Sequence, residues 1–282
     1  MRPFFAELIR ATLLALAGVT ASLAGQPASG AMQLARSPAQ GGEPAPAGPS
    51  GSSGRSTPAD QRLTPTEQRW LQGAWPVISF AHQTGVPLDV IVQPQPAPGA
   101  APLAMAFVDG RCKLVMSMRG NAQAQATLDA IAPALLDATL ELMAAHELGH
   151  CRRYLDGAWY GLPAGFVATA RPPAGLDAEL QALYAEMQAT RREEGYGDLV
   201  GLAWTRRHHP ALYTRLHSWL VAERATNLIP GSHHDTLAWL RLAGDGAALG
   251  DTSIFAGPAA LWAAGLALEP RSAAAPRLAD QR

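Results

Sequence analysis

The pentapeptide His146-Glu147-Leu148-Gly149-His150 constrains the fold more than any other stretch of this sequence, because its spacing has chemical meaning only on a helix. Side chains four residues apart on a helix leave the same face about one turn from each other. Upstream, Leu136, Leu140, Met143 and Ala144 recur at helical spacing. A helix begun by Pro133 is therefore predicted to run to Asp156 and to stop at Gly157. Two imidazoles placed in this way fill two corners of a zinc tetrahedron. Glu147, one residue on from the first histidine, is close enough to act on a water without being a ligand.

Two schemes supply a third ligand. In the first the motif extends as H-E-x-x-H-x-x-G-x-x-H, but Arg153 stands at the glycine position and Asp156 at the last one. Without glycine the helix lacks a permissive turn to swing Asp156 back, so this scheme carries little weight. In the second a glutamate comes from a later helix, predicted over residues 176–207 with Leu180, Leu183 and Met187 as its inner stripe. Glu194 follows Met187 by seven residues and so continues that stripe, and Asp198 lies one turn further on the same face. An inward carboxylate needs a partner, and a metal would serve. Asp198 is then placed to hold the free ring N–H of a ligand histidine. Gly197 and Gly201 would let the two helices approach closely. Glu193 replaces Glu194 if the helical phase is shifted by one, and a solvated acidic turn with Arg191 and Arg192 is the plain alternative.

His146-Glu147-x-x-His150 followed by Glu194-x-x-x-Asp198 resembles the gluzincin metallopeptidases, in particular the group of heat-shock-type and prenyl-protein-processing membrane proteases. The likeness spans the two ligand helices, about a third of the chain. It implies one zinc ion held by His146, His150 and Glu194, with Glu147 as general base and a protein or peptide as substrate. A histidine after the ligand glutamate often steadies the oxyanion in such proteases, and His233 or His234 is suitably downstream. For these two, a polar loop in which Asp235 caps the next helix is the competing expectation. Two departures stand out: Gly197 replaces the usual alanine, and the multiple membrane spans of the best-known members are absent. The alternative from another functional class is a non-catalytic exported protein that binds metal, or aids assembly, on a zincin-like scaffold.

Arg2 and Arg10 precede an uncharged run from Ala11 to Gly25, and Ser22-Leu23-Ala24 or Ala28-Ser29-Gly30 offers small residues for cleavage. This pattern predicts a signal peptide over residues 1–25 and a periplasmic or secreted protein, membrane-anchored only if the segment stays uncleaved. The apolar run is shorter than the ~20 residues of a helical span. Residues 26–62, rich in Pro, Gly, Ser and Ala, are expected to be a disordered linker. Residues 63–270 form the folded domain, and 271–282 a flexible tail. A net charge of −1 argues against nucleic acid as a partner. Oligomeric state is not legible. Cys112 and Cys151 form either one disulfide or two free thiols.

Around the ligand helices, Thr64-Pro65-Thr66-Glu67 is a capping box that opens a helix to about His82. Trp70, Leu71, Trp75 and Ile78 are expected on its buried face, with a kink or break at Pro76. Leu88 to Gln93 reads as a strand, and Leu103 to Val108 and Arg111 to Met118 flank the hairpin signal Asp109-Gly110. The strand from Cys112 to Met118 is either an edge strand, well placed to bind an extended substrate, or an ordinary half-buried strand. Helices follow at 122–131, 210–226 and 236–243, and a buried apolar one at 254–268. The order predicts an α+β, zincin-like domain: a small sheet with a β-hairpin packed on the active-site helix, then a mainly helical C-terminal half.

Overall fold

The Thr64 hydroxyl accepts from the Glu67 amide while the Glu67 carboxylate accepts from the Thr64 amide, and this reciprocal cap opens α1 (Pro65–Gln83). The computed structural model of the chain describes residues 62–167, 172–226, 228–251 and 253–268. The expected signal peptide, nearly all of the linker and the C-terminal tail lie outside the described residues. Among the described residues no helix is long and apolar enough to cross a membrane.

After α1 come β1 (Leu88–Pro94), β2 (Leu103–Val108) and β3 (Arg111–Arg119), then α2 (Ala122–Ala130) and α3 (Leu136–Leu155). The C-terminal half is helical: α4 (Ala178–His208), α5 (Tyr213–Ala225), α6 (Leu237–Leu242) and α7 (Ala256–Ala267). The domain is α+β, with one mixed three-stranded sheet.

Three expectations are corrected here. Trp75 is 54% exposed. The buried stripe of α1 is Trp70, Gly73, Ala74, Val77, Ile78 and Ala81, and Trp75 falls about 100° outside it. Pro76 does not interrupt α1, which runs unbroken; Pro76 and Gln72 are both exposed, so the carbonyl that the proline leaves without a donor faces water. Finally, β3 is not an edge strand. The sheet order is β1-β3-β2, with β1 parallel and β2 antiparallel to β3, so both sides of β3 are already paired and no substrate strand can add to it. Its alternation of Cys112, Leu114, Met116 and Met118 marks a core face instead, and all four are buried.

The core lies between the sheet, α1 and the crossing of α3 with α4. One covalent tie joins these layers: Cys112 at the start of β3 and Cys151 in α3 form a disulfide, with their Cα atoms 5.6 Å apart. Asp177 starts α4 by accepting from the Leu180 amide. From Met187 onward α4 is almost wholly buried, which is why its second half carries the polar residues of the site.

Candidate metal centre

Helix α3 presents His146, Glu147 and His150, and α4 crosses it at glycines. A Cβ on Gly197 would sit 2.8 Å from Cε1 of His146, and one on Gly201 2.8 Å from the Leu142 carbonyl. Real Cβ contacts are not that short, so glycine at 197 sets how near the imidazole lies to α4. The alanine usual in the resembling proteases would not fit this spacing.

The crossing brings Glu194 between the two histidines. Its Oε2 is 3.5 Å from Nε2 of His146, and its Oε1 is 3.4 Å from Nε2 of His150. One ligand atom from each of the three lies within 4.8 Å of the others, so His146, His150 and Glu194 can together hold a metal ion. Two imidazole nitrogens and one carboxylate oxygen form a donor set suited to a borderline-soft divalent ion. Nδ1 of His146 donates to Oδ1 of Asp198 at 3.0 Å, which leaves Nε2 directed at the centre.

A residue that sequence reasoning missed completes this network. Arg224, on α5, donates to both carboxylate oxygens of Asp198 (2.6 and 2.9 Å) and to Oε2 of Glu194 (3.2 Å). Thr236, also missed, donates its hydroxyl to Oδ2 of Asp198 at 2.6 Å. Neither carried a signal: Arg224 sits in an ordinary polar Glu-Arg-Ala run, and Thr236 sits beside histidines that drew the attention.

Burial and charge set the protonation pattern. For His146, burial works to lower the pKa, and the carboxylates of Asp198 and Glu194 outweigh it and raise the imidazole to about 10. Burial pushes the Glu194 carboxyl up, but hydrogen bonds and charge from His146 and His150 hold it well below its ordinary range. Asp198 is likewise held low, against burial, by Arg224 and His146. Glu147 differs. Burial pushes its carboxyl upward, with the Glu194 charge adding to that, against the lowering effect of both histidines and Arg224.

Glu193 is not a ligand. It is 1% exposed, accepts both prongs of Arg153 at 2.8 and 2.9 Å, and accepts the Tyr160 amide at 2.9 Å. Arg153 is thereby committed, and Asp156 pairs with Arg152, so the extended-motif scheme has no ligand to offer. The rings of His233 and His234 touch at a tilt of 53° with centroids 3.9 Å apart, and Nε2 of His234 lies 4.0 Å from Oε2 of Glu194. Burial lowers both, His234 to about 4. Asp235 does not cap α6; its carboxylate accepts the Gly231 amide and closes the turn that presents the two histidines. His82 and His217 bond backbone carbonyls, as structural histidines do.

Comparison of the chain with protein-family models, with curated proteins and with solved structures finds no match.

Proposed function

We propose that this chain is an exported zinc-dependent metallopeptidase. The observation that carries the reading is the convergence of His146, His150 and Glu194 from two helices, with Glu147 one residue from the first ligand. Zinc bound there would supply Lewis acidity and a lowered pKa for the water it holds. Asp198 fixes the tautomer and direction of His146, and Arg224 fixes both carboxylates at once. The Glu147 carboxylate accepts a proton from the attacking water and returns it to the leaving amine; burial raises this carboxyl and so favours its holding the proton between the two steps. His233 and His234, on the turn facing Glu194, would donate to the carbonyl oxygen as charge develops on it. Peptide bonds are the substrate favoured by the resemblance of the motif. Export follows from the basic, apolar and small-residue pattern of residues 1–25.

Metal analysis of the purified chain beside His146→Ala and Glu194→Ala tests the centre, and a peptide-hydrolysis assay with Glu147→Gln tests the chemistry. One zinc per chain is expected in the parent and little in either ligand variant. Full zinc occupancy in both variants sinks the site. Zinc retained with no hydrolysis in the parent would leave a non-catalytic metal-binding protein.

A further inference from the structure

Glu194 brings two oxygens to the centre, and a fixed cation touches one of them. Oε1 lies 3.4 Å from Nε2 of His150, and Oε2 lies 3.5 Å from Nε2 of His146. By those distances either oxygen, or both together, could join the imidazoles around an ion. Their surroundings differ. Nη2 of Arg224 donates to Oε2 at 3.2 Å, and Nε2 of His234 stands 4.0 Å from the same oxygen.

Arg224 is held where it is by Asp198. It lies in the last turn of α5, where a cation suits the negative end of the helix dipole. Its guanidinium spans both oxygens of Asp198, at 2.6 and 2.9 Å. Asp198 is fixed in turn by Nδ1 of His146 and the hydroxyl of Thr236. Swinging Arg224 off Oε2 would therefore disturb the support of His146 as well. The side chains of Arg224 and Glu194 are 13% and 15% exposed, so little water screens the charge between them.

Two effects then act on an ion. An oxygen that accepts from a guanidinium has given part of its electron density to that bond, which makes it the weaker metal donor of the pair. An ion on Oε2 would also stand close to the positive charge of Arg224 and be repelled by it. Both effects favour Oε1. We propose that Arg224 is a positioning residue that makes Glu194 a one-oxygen ligand through Oε1, so that the protein supplies three donor atoms and not four. This rests on the metal centre of His146, His150 and Glu194, and on no activity assigned to it. The difference decides the kind of site, since three protein donors mark catalytic zinc and four mark structural zinc. Without Arg224 the carboxylate is free to chelate through both oxygens and fill the position that a catalytic site keeps open.

The test uses the full chain loaded with Co2+ alone, because visible absorption by cobalt weakens as its coordination number rises. Arg224→Met removes the donor on Oε2. Arg224→Lys keeps the cation, but a single ammonium lacks the fork and should stay with Asp198, releasing Glu194. Both variants should lower the absorbance per bound ion about threefold at saturation, as the second Glu194 oxygen enters. Asp198→Asn is the comparison: it weakens cobalt binding through His146 but keeps the contact on Oε2, so its saturated absorbance should match the parent. A purely structural role for Arg224 predicts lost affinity with absorbance kept. Circular dichroism checks the fold, and Arg224→Lys carries the test if Arg224→Met unfolds. Unchanged absorbance in the Arg224 variants overturns the proposal and leaves the metal centre standing. An equal drop in Asp198→Asn also overturns it, as does loss of cobalt binding in both Arg224 variants, which would make Arg224 a condition of ligation and not a selector between oxygens. No cobalt band in the parent removes the metal centre and the proposal together.

Discussion

His146 and His150 leave the same helix one turn apart and face the same carboxylate, yet the two ends of the site hold them by different means. At the His146 end every support is polar: Asp198 on Nδ1, Arg224 and Thr236 on Asp198, and Arg224 again on Glu194. At the His150 end the support is a ring. Trp159 packs against the imidazole, and Nδ1 of His150 has no hydrogen-bond partner among the described residues. Charge fixes one histidine in tautomer as well as direction. Packing fixes the other in direction only and leaves its tautomer to whatever the centre binds. The polar end should therefore govern affinity for the metal, and the aromatic end should govern what lies next to it.

Four measurements press on that contrast. Arg224→Met should cost most, because it leaves two buried carboxylates short of their cation; a loss of about 3–5 kcal/mol in unfolding free energy is expected by urea denaturation of the metal-free chain. A loss close to zero would mean that the network does not hold the polar end. Asp198→Asn should lower zinc affinity about 10- to 100-fold in competition with a chelator, since His146 loses the acceptor that orients it.

The third is a pH dependence. In the metal-free chain the folded-state pKa of His146 is raised from 6.5 to about 10, because Asp198 and Glu194 outweigh burial. Its pairing thus stabilises the fold fully below the unfolded value and ceases to do so as pH rises through about 10. A metal needs the neutral ring, so zinc binding near pH 7 should release about one proton and strengthen close to tenfold per pH unit. Calorimetry in two buffers of different ionisation enthalpy reads this proton directly, and no buffer dependence would refute it. The smallest effect belongs to the aromatic end: Trp159→Ala should change zinc affinity by less than about threefold in the chelator assay, because a ring contact alone supports His150. Equal losses from Trp159→Ala and Asp198→Asn would erase the contrast.

What the sequence revealed follows the same division. His146, Glu147, His150, Glu194 and Asp198 were readable because helical periodicity is local, and fixed offsets decide which side chains share a face. The capping box at Thr64 and the Asp109-Gly110 hairpin were readable for the same reason. Choosing Glu194 over Glu193 depended on a phase carried forward from Met187, and the two neighbours have opposite tasks: one enters the cluster, the other anchors Arg153 and Tyr160. Arg224 and Trp159 were hidden because their meaning lies in partners that are distant along the chain or in another element. The central place of β3 was hidden too, since strand order depends on a crossover that no spacing within β3 encodes. Trp75 misled because a large apolar ring was read as core when only its phase on α1 could say otherwise.

The disulfide has a topological consequence. Cys112 and Cys151 are 39 residues apart, so the bond closes a ring of chain that contains β3, α2 and most of α3, with both ligand histidines on it. Glu194 and Asp198 lie outside the ring, on α4. An ion shared by these residues would act as a clasp between a closed loop and an open arm. The loop's share of the ordering entropy, ~4 kcal/mol for a ring of this length, is met by oxidation before any ion arrives. Reduction would undo that order of events, returning the loop's ordering entropy to the step at which an ion binds.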